Sequence, residues 1–297
     1  MNRSEFSWSY TRHNLFRSCP LAYFYRYHTA SASEADPGRL NELKRLLSVN
    51  SWTENIFRSA FRMTAGEGKN DPAAFNKRLF SIFRKDCASL RREGWRNDPK
   101  SVNIDVVYYG EETPGYVFAS ARCRLDALSA NFAENLLPRL HPVEYLRMKH
   151  FKQPDSFYAD GIKVWSVPDM IYEENGTLNV VTLFFENPRT SQNWVLRSAI
   201  NAKFAESRWN HFGRVLPVSF FLHGPSFPPV YAAGNRKELM CIIRNSVSDM
   251  LNFESAGISE ENFANFAEKQ DNRNCRICVF RGECILSKNS MSSAMPV

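Results

Sequence analysis

Four cysteines set at opposite ends of the chain constrain its fold more than any other feature. Cys19, followed by Pro20, stands near the start, and Cys275, Cys278 and Cys284 form a Cys-x2-Cys-x5-Cys run near the end. Four thiolates can surround one metal centre only if those two segments meet, so the pattern predicts a metal staple joining the N- and C-terminal parts of the fold. Thiolate quartets suit either a tetrahedral zinc ion or an iron–sulfur cluster, and spacing leaves both open. A cysteine without partner spacing is more simply a small buried hydrophobe. That reading is applied to Cys87, Cys123 and Cys241.

At 297 residues the chain can bury a core unaided, so the staple sets a geometry rather than rescuing a small fold. An odd number of cysteines, seven, and no charged-then-apolar leader argue against a secreted disulfide framework. A reducing cytoplasmic location is expected. No apolar run approaches the ~20 residues that span a bilayer, so a soluble protein with no membrane partner is expected. Lys and Arg number 38 against 31 Asp and Glu, a formal charge of +7. Such a balance suits a polyanion such as nucleic acid, and equally a basic protein with solvated charged faces.

Periodicity predicts a largely helical first third. Residues 7–28 carry apolar and aromatic side chains at helical spacing, with Ser7 or Ser9 as a cap and a break at Pro20 that leaves the Cys19 sulfur accessible. Helices are expected over 39–64 and 72–94, a strand or extended arm over 102–109, and a helix over 116–137 stopped by Pro138. Strands follow at 143–151, 156–158, 163–172 and 178–185, with Asn175-Gly176 as a hairpin turn. A helix over 191–212, strands at 215–222 and 230–232, a helix over 236–252 and a loose tail complete the pattern.

A helix, a three-strand meander, a helix and a further strand form the core order of the PD-(D/E)XK nucleases, and local residues agree. The run Val167-Pro168-Asp169-Met170-Ile171-Tyr172, a turn with Gly176, and Leu178-Asn179-Val180-Val181 resembles the family's Pro-Asp strand turning into a second apolar strand. The opening Ser18-Cys19-Pro20-Leu21-Ala22-Tyr23-Phe24-Tyr25 resembles the first cluster-ligand segment of the RecB-like and AddB-like branch, which includes the CRISPR-associated four-cysteine exonucleases. The resemblance implies an α/β fold with a restriction-endonuclease-like core, a central mixed sheet flanked by helices, over 143–252. It implies one domain over 1–290 with a helical insertion at 39–137, cluster-binding segments at 19 and 275–284, and a flexible tail at 291–297. It also implies that Cys19, Cys275, Cys278 and Cys284 hold a [4Fe–4S] cluster, with Zn2+ as the alternative.

Metal-dependent phosphodiester hydrolysis needs carboxylates for hard cations and a lysine beside the attacking water. By resemblance Asp169 takes the first acidic position, an acid expected to be exposed among apolar neighbours; a strand-end Asp held by turn amides is the plainer alternative. The second acid falls on Thr182, the lysine on Phe184, and the family's early histidine near Arg58, none of which can serve. The usual glutamine on the following helix has Gln192 and Arg197 as its nearest counterparts. Glu186 and Lys203 are the candidates for migrated groups.

The expected function is therefore an iron–sulfur, nuclease-like protein without nuclease activity. It would bind DNA or scaffold a repair, recombination or defence complex beside a helicase or similar proteins. The alternatives are an active Mg2+- or Mn2+-dependent DNA exonuclease with migrated residues, and a metal-stapled protein–protein interaction module. Arg12, Arg17 and Arg26, interleaved with Trp8, Tyr10, Phe16, Tyr23 and Tyr25, are the candidate nucleic-acid surface. Those same rings are also natural core residues.

Overall fold

The computed structural model describes residues 6–28, 36–66, 71–140, 149–150, 153–186, 194–222, 230–231, 236–256 and 272–284. A three-residue strand, β1 (Ser7–Ser9), leads into α1 (Tyr10–Ser18), whose first turn is closed by the Ser9 hydroxyl accepting from the Arg12 amide. Cys19 is extended and Pro20 opens α2 (Pro20–Tyr27), so the expected break falls where proline permits it. The Cys19 sulfur accepts from the Ala22 amide and caps the second helix.

The single helix expected over 39–64 is two: α3 (Pro37–Leu43), capped by Asp36, and α4 (Val49–Gly66). Between them Leu47 forms an isolated parallel bridge with Ile104, and its carbonyl accepts from the Asp105 amide. Asp71 caps α5 (Pro72–Arg91) through the amides of Ala73 and Ala74. The strand expected over 102–109 is corrected: only Ile104 is extended, and α6 (Asp105–Tyr108) follows it. Alternation of apolar residues over so few positions cannot tell a strand from one helical turn. Thr113 caps α7 (Pro114–Asn131), which continues through a wider π turn at Phe132–Leu136 into α8 (Leu137–Leu140). Pro138 therefore does not stop the helix; the loosened turn before it absorbs the missing amide donor.

Two sheets follow. The larger joins β2 (Lys149–His150), β5 (Met170–Glu174), β6 (Thr177–Phe184), β7 (Arg214–Phe221) and β8 (Val230–Tyr231) in that spatial order. β6 and β7 run parallel across α9 (Trp194–Arg208), and the other neighbours are antiparallel. The smaller sheet, not anticipated, orders β1, β4 (Ile162–Ser166) and β3 (Asp155–Ala159), with β1 parallel to β4. The strand expected over 163–172 is thus two strands in two sheets. Pro168 has no amide to continue a ladder, and the chain changes sheet across Val167-Pro168-Asp169. Asn175 and Gly176 take the left-handed conformation of the expected hairpin turn, and Asp160-Gly161 repeats it between β3 and β4.

Strand alternation divides the core. Val181 and Leu183 of β6, with Phe220 of β7, face a bundle of α4, α5 and α7 built on Trp52, Phe57, Phe75, Leu79 and Leu125. Leu178 and Val180 face the other way, onto α9 and α10 (Arg236–Ser255) through Ile200, Phe204, Ile243 and Val247. A third cluster seats Phe280 among Leu21, Tyr25, Leu40 and Leu43. The molecule is a mixed α/β fold with helices on both faces of its larger sheet. Of the expected elements, residues 143–148, 151, 191–193, 232 and the tail 291–297 lie outside the described residues.

Candidate functional site

The two cysteine segments meet. Short turns carry the chain from the helix Asn272–Arg276 through Cys278 and Phe280, with the Cys278 amide donating to the Cys275 carbonyl and the Arg281 amide to that of Cys278. Phe280 is 1 % exposed and anchors the segment on α2 and α3. The Tyr109 hydroxyl donates to the Val279 carbonyl at 2.7 Å, and Arg281 pairs with Glu111 at 2.7 Å while lying over the Tyr109 ring. Burial pushes the Cys278 thiol up to about 11, and Cys19, Cys284 and Cys275 each add to that rise. Cys19, Cys278 and Cys284 pack against the same cluster around Phe280. Among the described residues no three His, Cys, Asp or Glu side chains are already arranged around a cation position. Of the other cysteines, Cys87 is buried as expected, whereas Cys123 and Cys241 are exposed and are not packing residues.

A second site lies where β5 and β6 meet α4. Asp169 is only 1 % exposed, which corrects the expectation of an exposed acid. One carboxylate oxygen accepts from the Leu183 amide at 2.8 Å, and the other is paired with Arg58, whose second nitrogen donates to the Leu183 carbonyl at 2.9 Å. Helical spacing explains the partner: Glu54, Arg58 and Arg62 form an i, i+4, i+8 row beside the apolar row of α4. The guanidinium thus stands where a cation bound to Asp169 would stand. Behind it Arg62 is drawn down by burial, with Asp169 opposing and Arg58 reinforcing the shift. Its Nε is buried with no hydrogen-bond partner among the described residues.

Thr182 and Phe184 share the opposite strand face from Leu183. The Thr182 hydroxyl accepts from Asn201 of α9 at 2.9 Å, and Asn201 accepts from Ser166 at 2.7 Å, so this position is a closed neutral network. Phe184 stacks on Phe221, with the Arg197 guanidinium 5.5 Å from its ring. Arg197 makes no hydrogen bond or ion pair among the described residues. Burial lowers it, Arg58 adds to that, and Asp169, Tyr10 and Glu54 oppose. Burial likewise raises Glu54, against Arg58, Arg124 and Arg197, and Glu186 adds to the rise.

These groups open into a cleft of about 850 Å³ between the start of α1, α4, the end of β4 and α9. Its walls include Tyr10, Arg58, Glu54, Trp165, Arg197 and Asn201. The migrated candidates do not complete a metal site there. Glu186 is exposed just beyond the end of β6, close enough for its charge to act on Tyr10 and Glu54 in the cleft wall. Lys203 pairs with Glu206 at 3.6 Å, two residues past Asn201 and so roughly opposite it around the helix. Gln192 lies outside the described residues.

The proposed basic surface of α1 and α2 also needs correction. Arg12 is spent on Tyr23, the Ser7 carbonyl and Glu254, with its side chain 11 % exposed. Trp8, Tyr23 and Tyr25 are core, Trp8 donating to Ser246 at 3.0 Å. Arg17 is exposed, and Arg26, half-buried, reaches the Lys44 carbonyl. Of the residues missed from sequence, Glu54 and Arg62 carried a legible signal in the four-residue spacing on α4, whereas Arg124 of α7, which faces Glu54 at 3.6 Å, carried none.

Chemically, one end of the molecule gathers thiols that repel one another when ionised, and the cleft gathers guanidinium groups in excess of nearby carboxylates. The first suits a soft cation and the second an oxyanion. No family model matches the chain, and no curated protein or solved structure matches it.

Proposed function

We propose that this chain is a PD-(D/E)XK nuclease-like protein of the RecB/AddB-like branch that has exchanged metal-dependent cleavage for binding. In this reading it binds DNA, or holds a place in a repair, recombination or defence assembly, without hydrolysing the backbone. The observation that carries the reading is the Arg58–Asp169 pair. A side chain that stays protonated occupies the cation position, and Thr182 and Phe184 offer neither a carboxylate nor an ammonium. The order β4, β5, β6, α9, β7, with Asp169 entering β5 after Pro168 and β7 parallel to β6, supports the restriction-endonuclease-like core. The net charge of +7 supports a polyanionic partner.

Cys19, Cys275, Cys278 and Cys284 would hold a [4Fe–4S] cluster. Four mutually repelling thiols in one partly buried place suit a polycation, and the cluster would supply a covalent bridge between distant segments of the chain. Zn2+ is the alternative occupant of the same thiols.

The test is cleavage of labelled single- and double-stranded DNA by anaerobically purified protein in Mg2+ or Mn2+, with Asp169→Ala alongside. Salt-dependent DNA binding without cleavage is the expected result. Cleavage lost in the mutant would establish an active exonuclease instead. Binding to a protein partner with no DNA affinity would favour an interaction module. Iron and sulfide content, lost on exposure to air, is expected; stoichiometric zinc in a colourless preparation would replace the cluster and leave the staple.

A further inference from the structure

We infer that the cleft holds the phosphate of a nucleotide without a divalent cation, with Arg197 and Arg58 as its charge partners. The nucleotide identity rests on the function proposed above, whereas the anion site stands on the charge and geometry of the cleft. Arg197 lines the cleft and makes no hydrogen bond or ion pair among the described residues, so its five donors are uncommitted. Arg58 reaches the same space while committing two nitrogens to Asp169 and Leu183. With Arg62 behind them, Arg58, Arg62, Arg197 and Arg124, the last paired with Glu54, stand against Asp169, Glu54 and Glu186. This excess of positive charge in a concave, partly dehydrated site is stabilised by an entering oxyanion, and planar guanidinium groups match phosphate geometry.

The opening turn of α1, Ser9 to Thr11, stands in the same wall and turns the positive end of that helix toward the space. Two features favour a nucleotide over a bare anion. The volume of about 850 Å³ is within the range of small-molecule sites. Tyr10, Tyr27 and Trp165 place aromatic surface beside the charges, as stacking on a base requires. In this arrangement the side chains supply what metal ions supply in a hydrolytic site.

The experiment is calorimetric titration of inorganic phosphate, thymidine monophosphate and a single-stranded oligonucleotide into the full chain. It is run in EDTA and in Mg2+, for the wild type, Arg197→Ala, Arg197→Lys and Asp169→Asn. Nucleotide and oligonucleotide are expected to bind equally with and without chelator. Arg197→Ala should weaken both by about tenfold or more and lower the slope of log K against log salt by about 1. Arg197→Lys should retain part of the affinity. Asp169→Asn should tighten binding by releasing Arg58, the opposite of its effect on a metal-dependent site. Loss of binding in EDTA, or equal affinity of Arg197→Ala and wild type, would overturn the inference. Oligonucleotide binding indifferent to Arg197 would sink this site and leave the proposed function; mononucleotide binding with no oligonucleotide binding would do the reverse. If Arg197→Ala does not fold, the salt slope of Arg197→Gln, which also removes the charge, and the chelator comparison still decide.

Discussion

The thiol knot and the arginine cleft handle positive charge in opposite ways. At the knot, four groups that become anionic lie together, and burial plus mutual repulsion holds the Cys278 thiol up at about 11. A cation from outside would relieve that repulsion. In the cleft the cation is part of the chain, because Arg58 is already paired with Asp169. One site is proposed to receive a positive centre, whereas at the other Arg58 supplies it from within the chain.

The contrast can be broken most forcefully at Asp169. Asp169→Ala leaves the Arg58 charge without its partner, and urea unfolding should register a loss of about 3–5 kcal/mol. A loss under 1 kcal/mol would mean that the pair is not what fills the site. Phe280→Ala, by emptying a buried aromatic seat at the knot, should cost about 3 kcal/mol or more and expose the 275–284 segment to protease. Undiminished protease resistance would show that the ends are held by something other than this plug.

A smaller effect is expected at Glu254, which binds Arg12, Tyr23 and His28 on the face of α1 and α2. Burial alone would raise its carboxyl, but hydrogen bonds from His28 and Tyr23 and the charges of His28 and Arg12 hold it below its ordinary 4.5. Its contribution is therefore present above the unfolded carboxyl range and is lost as pH falls through the lower folded value. Glu254→Gln should cost about 1.5–3 kcal/mol at neutral pH and flatten the acid limb of a Tm-against-pH curve. An unchanged acid limb would remove Glu254 from the account. The smallest effect is at Gly282, where an added Cβ would sit 3.1 Å from the Tyr109 ring. Gly282→Ala should loosen the Tyr109–Val279 hydrogen bond and shift Tm by only a few degrees.

What could be read from the sequence followed from local rules with one strong answer. The Pro20 break, the Asn175-Gly176 turn and the apolar run of β6 each have a single inexpensive solution, and the chain takes it. Tertiary decisions were less visible. Nothing in residues 163–172 says that one apolar run feeds two sheets, although Pro168 marks where it must. Arg12 reads as a surface cation until Glu254, far along the chain, is seen beside it. That Thr182 and Phe184 offer neither a carboxylate nor an ammonium was legible in the sequence. That Arg58 would fold onto Asp169 required knowing that α4 crosses the end of β6, which the resemblance alone did not supply.

The contact of Phe280 with α2 and α3 closes a loop that contains almost every other described residue. The entropy of closing so long a loop in an open chain is several times RT, although it grows only with the logarithm of length. A contact of that range has little reason to form before the sheets and helices between have drawn the two segments close. Were the thiols bridged as proposed, that bridge would have to open before either end could peel away. The knot would then act as a brake on the loss of structure, after folding rather than directing it.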